Sequence, residues 1–487
     1  MEVVPSTFLA LLAVAGLFAV GPYRGLWIFV ALAPFGAAAA FNLPALGGAT
    51  VGMLEFTILA ILLVTALQRG GIDRMVGTLR PFQPGFWLLL VVLYGVLASA
   101  FFPRVFEGQT EIFSLSRAVN EDGIVTIPLR PSSGNVTQTV YLLLSAACFL
   151  AMATLYRARP DEGAVLKALA AATVVNFVLG WLDVMTAAVG LEVLMEPIRT
   201  ANYDIAMTAT LAGMKRMVGG TPEASSYGAI SLVLMAFWLH YWMVSKRSAL
   251  ATAMLAMAAI STLRSTSSGA YVALAALLAL YGTGWVIHAA RRGLSRRTAA
   301  FLVGGLAFGW FLLVAAVLGY QTVPTVKEFF DDTLLNKLES DSGVERMSWN
   351  VQALRNFADT WMIGAGLGSV RASNWLVSCL GSIGVIGTGF YLAFLYTLGT
   401  APRATGDERR NKVIGALQLA CLAQVLVAMP TAATPNLGTI FFILAGLAVG
   451  LSRSAETSES ARRSRDLAET RARVLDRGRA WRHVDLR

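Results

Sequence analysis

Arginine beside small and hydroxyl-bearing residues recurs at four places in this sequence. "MKRMVGGTPEASSYG" carries Lys215 and Arg216 ahead of a Gly-Gly turn, with Glu223 just before an apolar run. "STLRSTSSGAY" sets Arg264 and a row of hydroxyls, Ser268 among them, between two further apolar runs. The stretch from Ser342 to Trp375 holds Arg346 and Arg371. A guanidinium group forms paired hydrogen bonds to phosphate oxygens and keeps its charge at every physiological pH, so a cluster of them suits a diphosphate. One arginine near the end of an apolar run is ordinarily a snorkelling or loop residue. Recurrence on one face is what points to function.

Other chemistries find no support. Of the three histidines, His240 and His288 fall at the opposite ends of apolar runs and His483 lies near the C-terminus, which leaves none beside the arginines for a triad, a zinc site or a general base. No GxxxxGK[ST] phosphate loop occurs. Cys148, Cys379 and Cys421 sit inside apolar segments without metal-ligand spacing, which argues against both a zinc site and a disulfide framework. No metal or other cofactor is called for. The net charge of +10 does not indicate nucleic acid, because the basic residues gather in short linkers and in the tail, where they set topology.

The elements that must position these residues are apolar. With 56% hydrophobic and 14% charged residues, the chain departs from soluble composition, where about 25% are charged. Continuous apolar runs, rather than the alternation of barrel strands, predict an all-α polytopic membrane protein. Candidate spans are 7–20, 26–42, 50–68, 86–103, 138–156, 164–190, 226–244, 249–263, 268–290, 299–320, 375–399, 413–429 and 436–452, about 12–13 transmembrane helices. The first is read as a retained span, because no basic n-region precedes it. Basic linkers ("RARPDEG", "SKR", "ARRGLSRR", "APRATGDERRNK") alternate along the path and define the cytoplasmic face. Segments 104–137, 191–225, 262–268 and 321–374 then share the other face, the periplasm in a bacterium. The side of the N-terminus depends on whether the first two spans are both real. Residues 1–452 form the transmembrane domain with a large periplasmic loop, 321–374, and 453–487 form an arginine-rich cytoplasmic tail that touches anionic membrane lipids.

The large loop reads as a folded helical cap. Ser342 and Glu345 form a capping box that starts a helix near Gly343. Val344, Met347, Val351, Leu354 and Ala358 fall on one face, expected to pack on the membrane domain, while Arg346, Trp349, Asn350 and Ala353 share the adjoining face. "GAGLGS" then offers flexible backbone and exposed amides. Residues 323–340 look like a second amphipathic helix.

The order of "RMVGGTPEASSYG", "STSSGAY", "RMSWNVQALRNF", "GAGLGS" and "RASNWLVSCLGSIGVIG" resembles the bacterial O-antigen polymerase and O-antigen ligase superfamily of polytopic glycosyltransferases, over about Lys215 to Gly387. The resemblance implies a GT-C-like helical fold in the inner membrane. It also implies transfer of a glycan from an undecaprenyl diphosphate carrier on the periplasmic face, with neither metal nor nucleotide sugar. Ligases of the superfamily carry a histidine before the span that follows the big loop, where this chain has Ser373 and Asn374. Ser268 fills the slot where relatives often carry an arginine. Polymerisation of repeat units into exopolysaccharide or O-antigen is therefore the expected reaction, served by a chain-length regulator and export machinery. Arg216 and Arg346, with Arg264 and Arg371, would hold the diphosphate. Glu223 would orient or deprotonate the acceptor, Lys215, Ser268, Ser373 and Asn374 would add substrate contacts, and Trp349 could stack on a sugar. Ligation of glycan to lipid A-core is the alternative reaction. A lipid-linked glycan transporter is the alternative of another class, disfavoured because acids inside the spans are few, Glu55 and Asp183 being the exceptions.

Overall fold

The computed structural model describes residues 1–44, 49–113, 125–202, 210–211, 214–246, 248–292, 341–403 and 407–454, with scattered residues between 304 and 331. The architecture is mostly helical. Fourteen helices are used below: α1 Pro5–Val20, α2 Leu26–Val30, α3 Met53–Leu67, α4 Gly71–Thr78, α5 Pro84–Val105, α6 Ser133–Ala158, α7 Glu162–Ala188, α8 Ala224–Val244, α9 Ala249–Arg264, α10 Ser268–Arg292, α11 Asp341–Asp359, α12 Trp375–Gly399, α13 Glu408–Ala428 and α14 Thr439–Ser454. Seven of them (α5, α6, α7, α8, α10, α12 and α13) are long and apolar enough to cross a membrane, and α1, α9 and α14 are shorter apolar helices. The α3–α4 pair, bent by 111°, supplies an eighth span if taken as one. Many large apolar side chains on these helices face outward, such as Phe8, Leu93, Phe101, Leu182 and Leu278. Such a surface suits lipid rather than water.

Two expected spans take another form. Residues 26–42 are not one helix: α2 ends after five residues, turns follow, and the chain enters strand β1, Ala39–Leu43. Pro34, which lacks an amide hydrogen, and Gly36 account for the break. Strand β2, Ala49–Gly52, pairs antiparallel with β1, so α3 starts three residues later than the apolar run. Two more hairpins, β3 (Glu111–Phe113) with β4 (Thr126–Pro128) and β5 (Thr210–Leu211) with β6 (Met214–Lys215), cap the same end of the bundle. The expected 299–320 span and the 323–340 helix lie mostly outside the described residues, as does the tail beyond Ser454.

The bundle has an arginine end and an opposite end. At the opposite end Arg410 of α13 pairs with Glu162 of α7 at 2.6 Å and donates to Ser454 Oγ of α14 at 3.0 Å. Arg410 and Glu162 belong to two of the linkers expected to share one face. At the arginine end Ser6 and Thr7 donate to the carbonyls of Ala39 and Ala40, which fixes the start of α1 there. The far end of α1 leads to Tyr23, whose hydroxyl reaches Leu155 O of α6. The residues before α1 thus share an end with Arg216. The core between the ends is aromatic and aliphatic: α8 packs along α9 and α13, and α5 along α12.

Candidate active site

The arginine end is assembled from helix termini. Arg216 follows β6 and is half-buried; its Nε and Nη2 donate to Oγ1 and the carbonyl of Thr266, at 3.3 and 3.2 Å. Thr266 adopts φ 52°, a left-handed conformation costly for a β-branched residue, in the turn between α9 and α10. That turn is held by its own hydroxyls: Ser265 Oγ donates to Thr262 O, and Ser267 Oγ accepts from Ala270 N. Arg264, in the last turn of α9, donates to Lys215 O at 3.1 Å and so positions the residue before Arg216. Ser268 opens α10 beside this turn, half-buried.

Glu223 is the N-cap residue of α8, yet its side chain does not cap the helix; it accepts from Ser225 Oγ and stays exposed. Arg346 projects from α11, half-buried, with no hydrogen bond or ion pair among the described residues. Arg371, just before α12, lies over the ring of Trp349 with its guanidinium carbon 4.1 Å from the centroid. Its Nε is buried without a partner, and so is Trp349 Nε1.

Electrostatics tie these groups together. Burial lowers the pKa of Arg216 from the usual guanidinium value; Glu223 opposes the shift, Arg346 adds to it by like-charge repulsion, and Tyr271 opposes it. Burial likewise lowers that of Arg371, opposed by Glu345 and then Glu223. Both remain cations at physiological pH. Arg216 is thus within electrostatic reach of Glu223 and Arg346, and Arg371 within reach of Glu345 and Glu223. Donors remain unspent and like charges are held together. An anion relieves both.

Several expected residues do other work. Lys215 Nζ is 3.0 Å from Asp183, a fully buried carboxylate of α7, and 3.7 Å from Glu192. Asp183 also pairs with Arg199 at 2.6 Å and accepts from the amides of Val218 and Gly219 at 2.8 and 3.1 Å. This node braces the Gly-Gly turn. Arg199 escaped notice in the sequence because nothing in its spacing points to a carboxylate 16 residues away. Asn374 caps α12, its Oδ1 accepting from Val377 N. Ser373 is buried and its amide donates to Asn350 Oδ1 at 2.8 Å. Trp349 is a platform for Arg371 with little of its surface open. Trp375 is core, bonded to Pro435 O, and Trp361 is exposed.

Two local expectations are overturned. Val344, Met347, Val351 and Leu354 of α11 are exposed, and the adjoining face is buried instead, through Trp349, Ala353, Asn356 and Thr360. Its polar groups choose the orientation: Asn356 Nδ2 and Gln352 Nε2 donate to Glu111 O, and Thr110 Oγ1 donates to Asp359. "GAGLGS" does not offer exposed amides either. Residues 364–370 are buried, and Ala365 and Gly366 donate to the carbonyls of Gly381 and Ser382. Helix α12 is broken there at Gly384, φ 60°, whose neighbour Val385 donates to Met362 O. A Cβ on Gly384 would run into Ile363 O. The glycine loop thus completes hydrogen bonds that the broken helix leaves open.

Among the described residues no group of three or more His, Cys, Asp or Glu side chains could hold a metal ion. No protein-family model matches the chain, and no curated protein matches it.

Proposed function

We propose that the chain is a metal-independent glycosyltransferase of the inner membrane that polymerises oligosaccharide repeat units carried on undecaprenyl diphosphate, acting at the periplasmic face. The observation that supports this reading is the electrostatic coupling of Arg216 to Arg346, and of both Arg216 and Arg371 to Glu223, from separate segments, with Arg346 and Arg371 making no hydrogen bond among the described residues. In the reaction the bond between the anomeric carbon and the diphosphate oxygen breaks, and the diphosphate leaves with the electron pair. The arginines stabilise the charge that grows on it. The acceptor hydroxyl oxygen forms the new glycosidic bond, and its proton passes to Glu223, which lies exposed within electrostatic reach of Arg216 and Arg371. Lys215 and Arg264 act from behind, by holding the strand that leads into Arg216.

The test is complementation of a deletion strain with Arg346→Ala. Loss of one preorganised donor should slow the reaction by about 10²–10³, and single lipid-linked repeat units should accumulate. Full-length polysaccharide at normal chain length overturns the proposal. Polymer that forms but stays unattached to lipid A-core assigns ligation instead.

A further inference from the structure

A second site lies beside the arginines. A cavity of about 450 Å³ opens between α3, α6, α8 and the segment leading into α14, within the range of small-molecule sites, about 300–1,000 Å³. Its lining connects to the arginine cluster through two segments. Ser226, which lines it, is three residues beyond Glu223 on α8, and Thr434, which also lines it, follows Ala433, whose carbonyl accepts from the amide after Arg371.

The chemistry of the cavity is opposite to that of the cluster. Glu55, in the first turn of α3, lines it, and no Arg, Lys or His does. One carboxylate oxygen of Glu55 accepts from Thr439 Oγ1 at 2.8 Å, and Glu55 has no ion pair among the described residues. Gln424 donates to Leu437 O at 2.9 Å, which fixes its amide and leaves its Oε1 buried without a partner. Asn436 is locked by Ser145 Oγ at 3.0 Å and by Gly438 N at 3.0 Å. The pocket is therefore braced and offers acceptors, a carboxylate with one oxygen bonded to Thr439 and an amide oxygen without a partner. A carboxylate among membrane-spanning helices is a functional signal by default.

Resting on the reading above, we infer that this cavity binds a neutral, hydroxyl-rich ligand, a sugar unit of the glycan, whose hydroxyls donate to Glu55 and Gln424. A diphosphate would meet an uncompensated negative charge there. A metal ion would find a single carboxylate and a space many times its size. Lipid tails would offer a donor to neither the Glu55 carboxylate nor the buried Gln424 oxygen. A sugar satisfies them and sits where the neighbouring arginines would hold its diphosphate.

The experiment is site-specific photocrosslinking of the full-length chain in its native cells. Benzoylphenylalanine replaces Gln138, in the cavity wall, or Ser348, exposed on α11 two residues after Arg346; replacement of Phe8, on the outer surface, is the control. Adducts are assayed for carbohydrate and for phospholipid. Carbohydrate is expected at 138 and 348 and not at 8. Glu55→Gln should lower the yield at 138 by about tenfold or more, the worth of a hydrogen bond to a charged group, and leave the yield at 348 unchanged. If Glu55→Gln fails to fold, Thr439→Val, which removes only the hydroxyl that holds Glu55, should give a smaller loss at 138. Carbohydrate at 348 with only phospholipid at 138, or a yield at 138 indifferent to both substitutions, overturns the cavity assignment and leaves the glycosyltransferase reading standing. Carbohydrate at neither position overturns both.

Discussion

The arginine end holds two clusters of opposite and like charge, and they differ in what they leave unspent. Around Asp183 every carboxylate oxygen is engaged, by Arg199, Lys215 and two backbone amides. Arg216, by contrast, is coupled to Arg346 and, like Arg371, to Glu223, yet Arg346 and Arg371 make no hydrogen bond among the described residues and the Nε of Arg371 is buried without a partner. A sequence shows the same residue types in both. Satisfaction separates them: a cluster that closes on itself has no capacity for a ligand, whereas one held open by the surrounding fold has capacity to spare.

Asp183→Ala is the most damaging way to test that contrast. It leaves Arg199, almost fully buried, without its counter-charge, and breaking such a pair costs about 3–5 kcal/mol. Purified protein should unfold at a clearly lower temperature and expression should fall. The open cluster should respond the other way. Arg346→Ala, predicted above to slow the reaction by about 10²–10³, should leave the unfolding temperature within error of wild type, because the side chain makes no hydrogen bond or ion pair among the described residues. Should Asp183→Ala be thermally silent, or Arg346→Ala unfold the chain, the division between a bracing node and a working cluster collapses.

Trp349→Phe sharpens the contrast within the open cluster. Phenylalanine keeps a ring beneath Arg371 and removes an indole N–H that has no partner. Stability should be unchanged or slightly higher. A fall in polymerisation rate of about two- to tenfold, the scale of one neutral hydrogen bond, would show that the N–H serves the substrate; an unchanged rate would leave Trp349 as a platform for Arg371 alone.

The sequence made the cations of the open cluster visible, because arginine next to the end of an apolar run is conspicuous against a 14% charged background. It did not show which of them were free. Lys215 and Arg264 look equivalent to Arg216 in sequence, and only the fold brings Asp183 to one and the carbonyl of Lys215 to the other. Of the 12–13 expected spans, seven are helices long and apolar enough to cross among the described residues, or eight with the bent α3–α4 pair; α1, α9 and α14 fall on expected spans but are shorter, and around Pro34 the chain turns into a hairpin. Periodicity found the two faces of α11 and chose the wrong one to bury. In a chain that crosses a membrane an apolar stripe need not face the protein, since lipid is as apolar as leucine. The side bearing Asn356 and Gln352 is instead drawn inward by the carbonyl of Glu111, which accepts from both side chains. Thr266 left no sign at all: a left-handed threonine is imposed by its surroundings.

The smallest expected effect concerns Asn374, which stands between the two kinds of cluster. It sits three residues after Arg371 and was a candidate substrate contact, yet its Oδ1 accepts the amide of Val377 and caps α12. Asn374→Ala should therefore cost about 1 kcal/mol of stability and lower activity only as far as the start of α12 loosens. Asn374→Asp separates capping from substrate binding. Aspartate caps as well as asparagine and its charge favours a helix N-terminus, so stability should return. If capping is the whole role, activity returns with it. If Asn374 instead donates to a phosphate oxygen, the added negative charge repels the substrate, and the aspartate variant is as stable as wild type but less active than the alanine variant. Unfolding temperature and polymerisation rate measured on the same two variants decide between these, because the ranking of Ala and Asp is reversed in one case and not in the other.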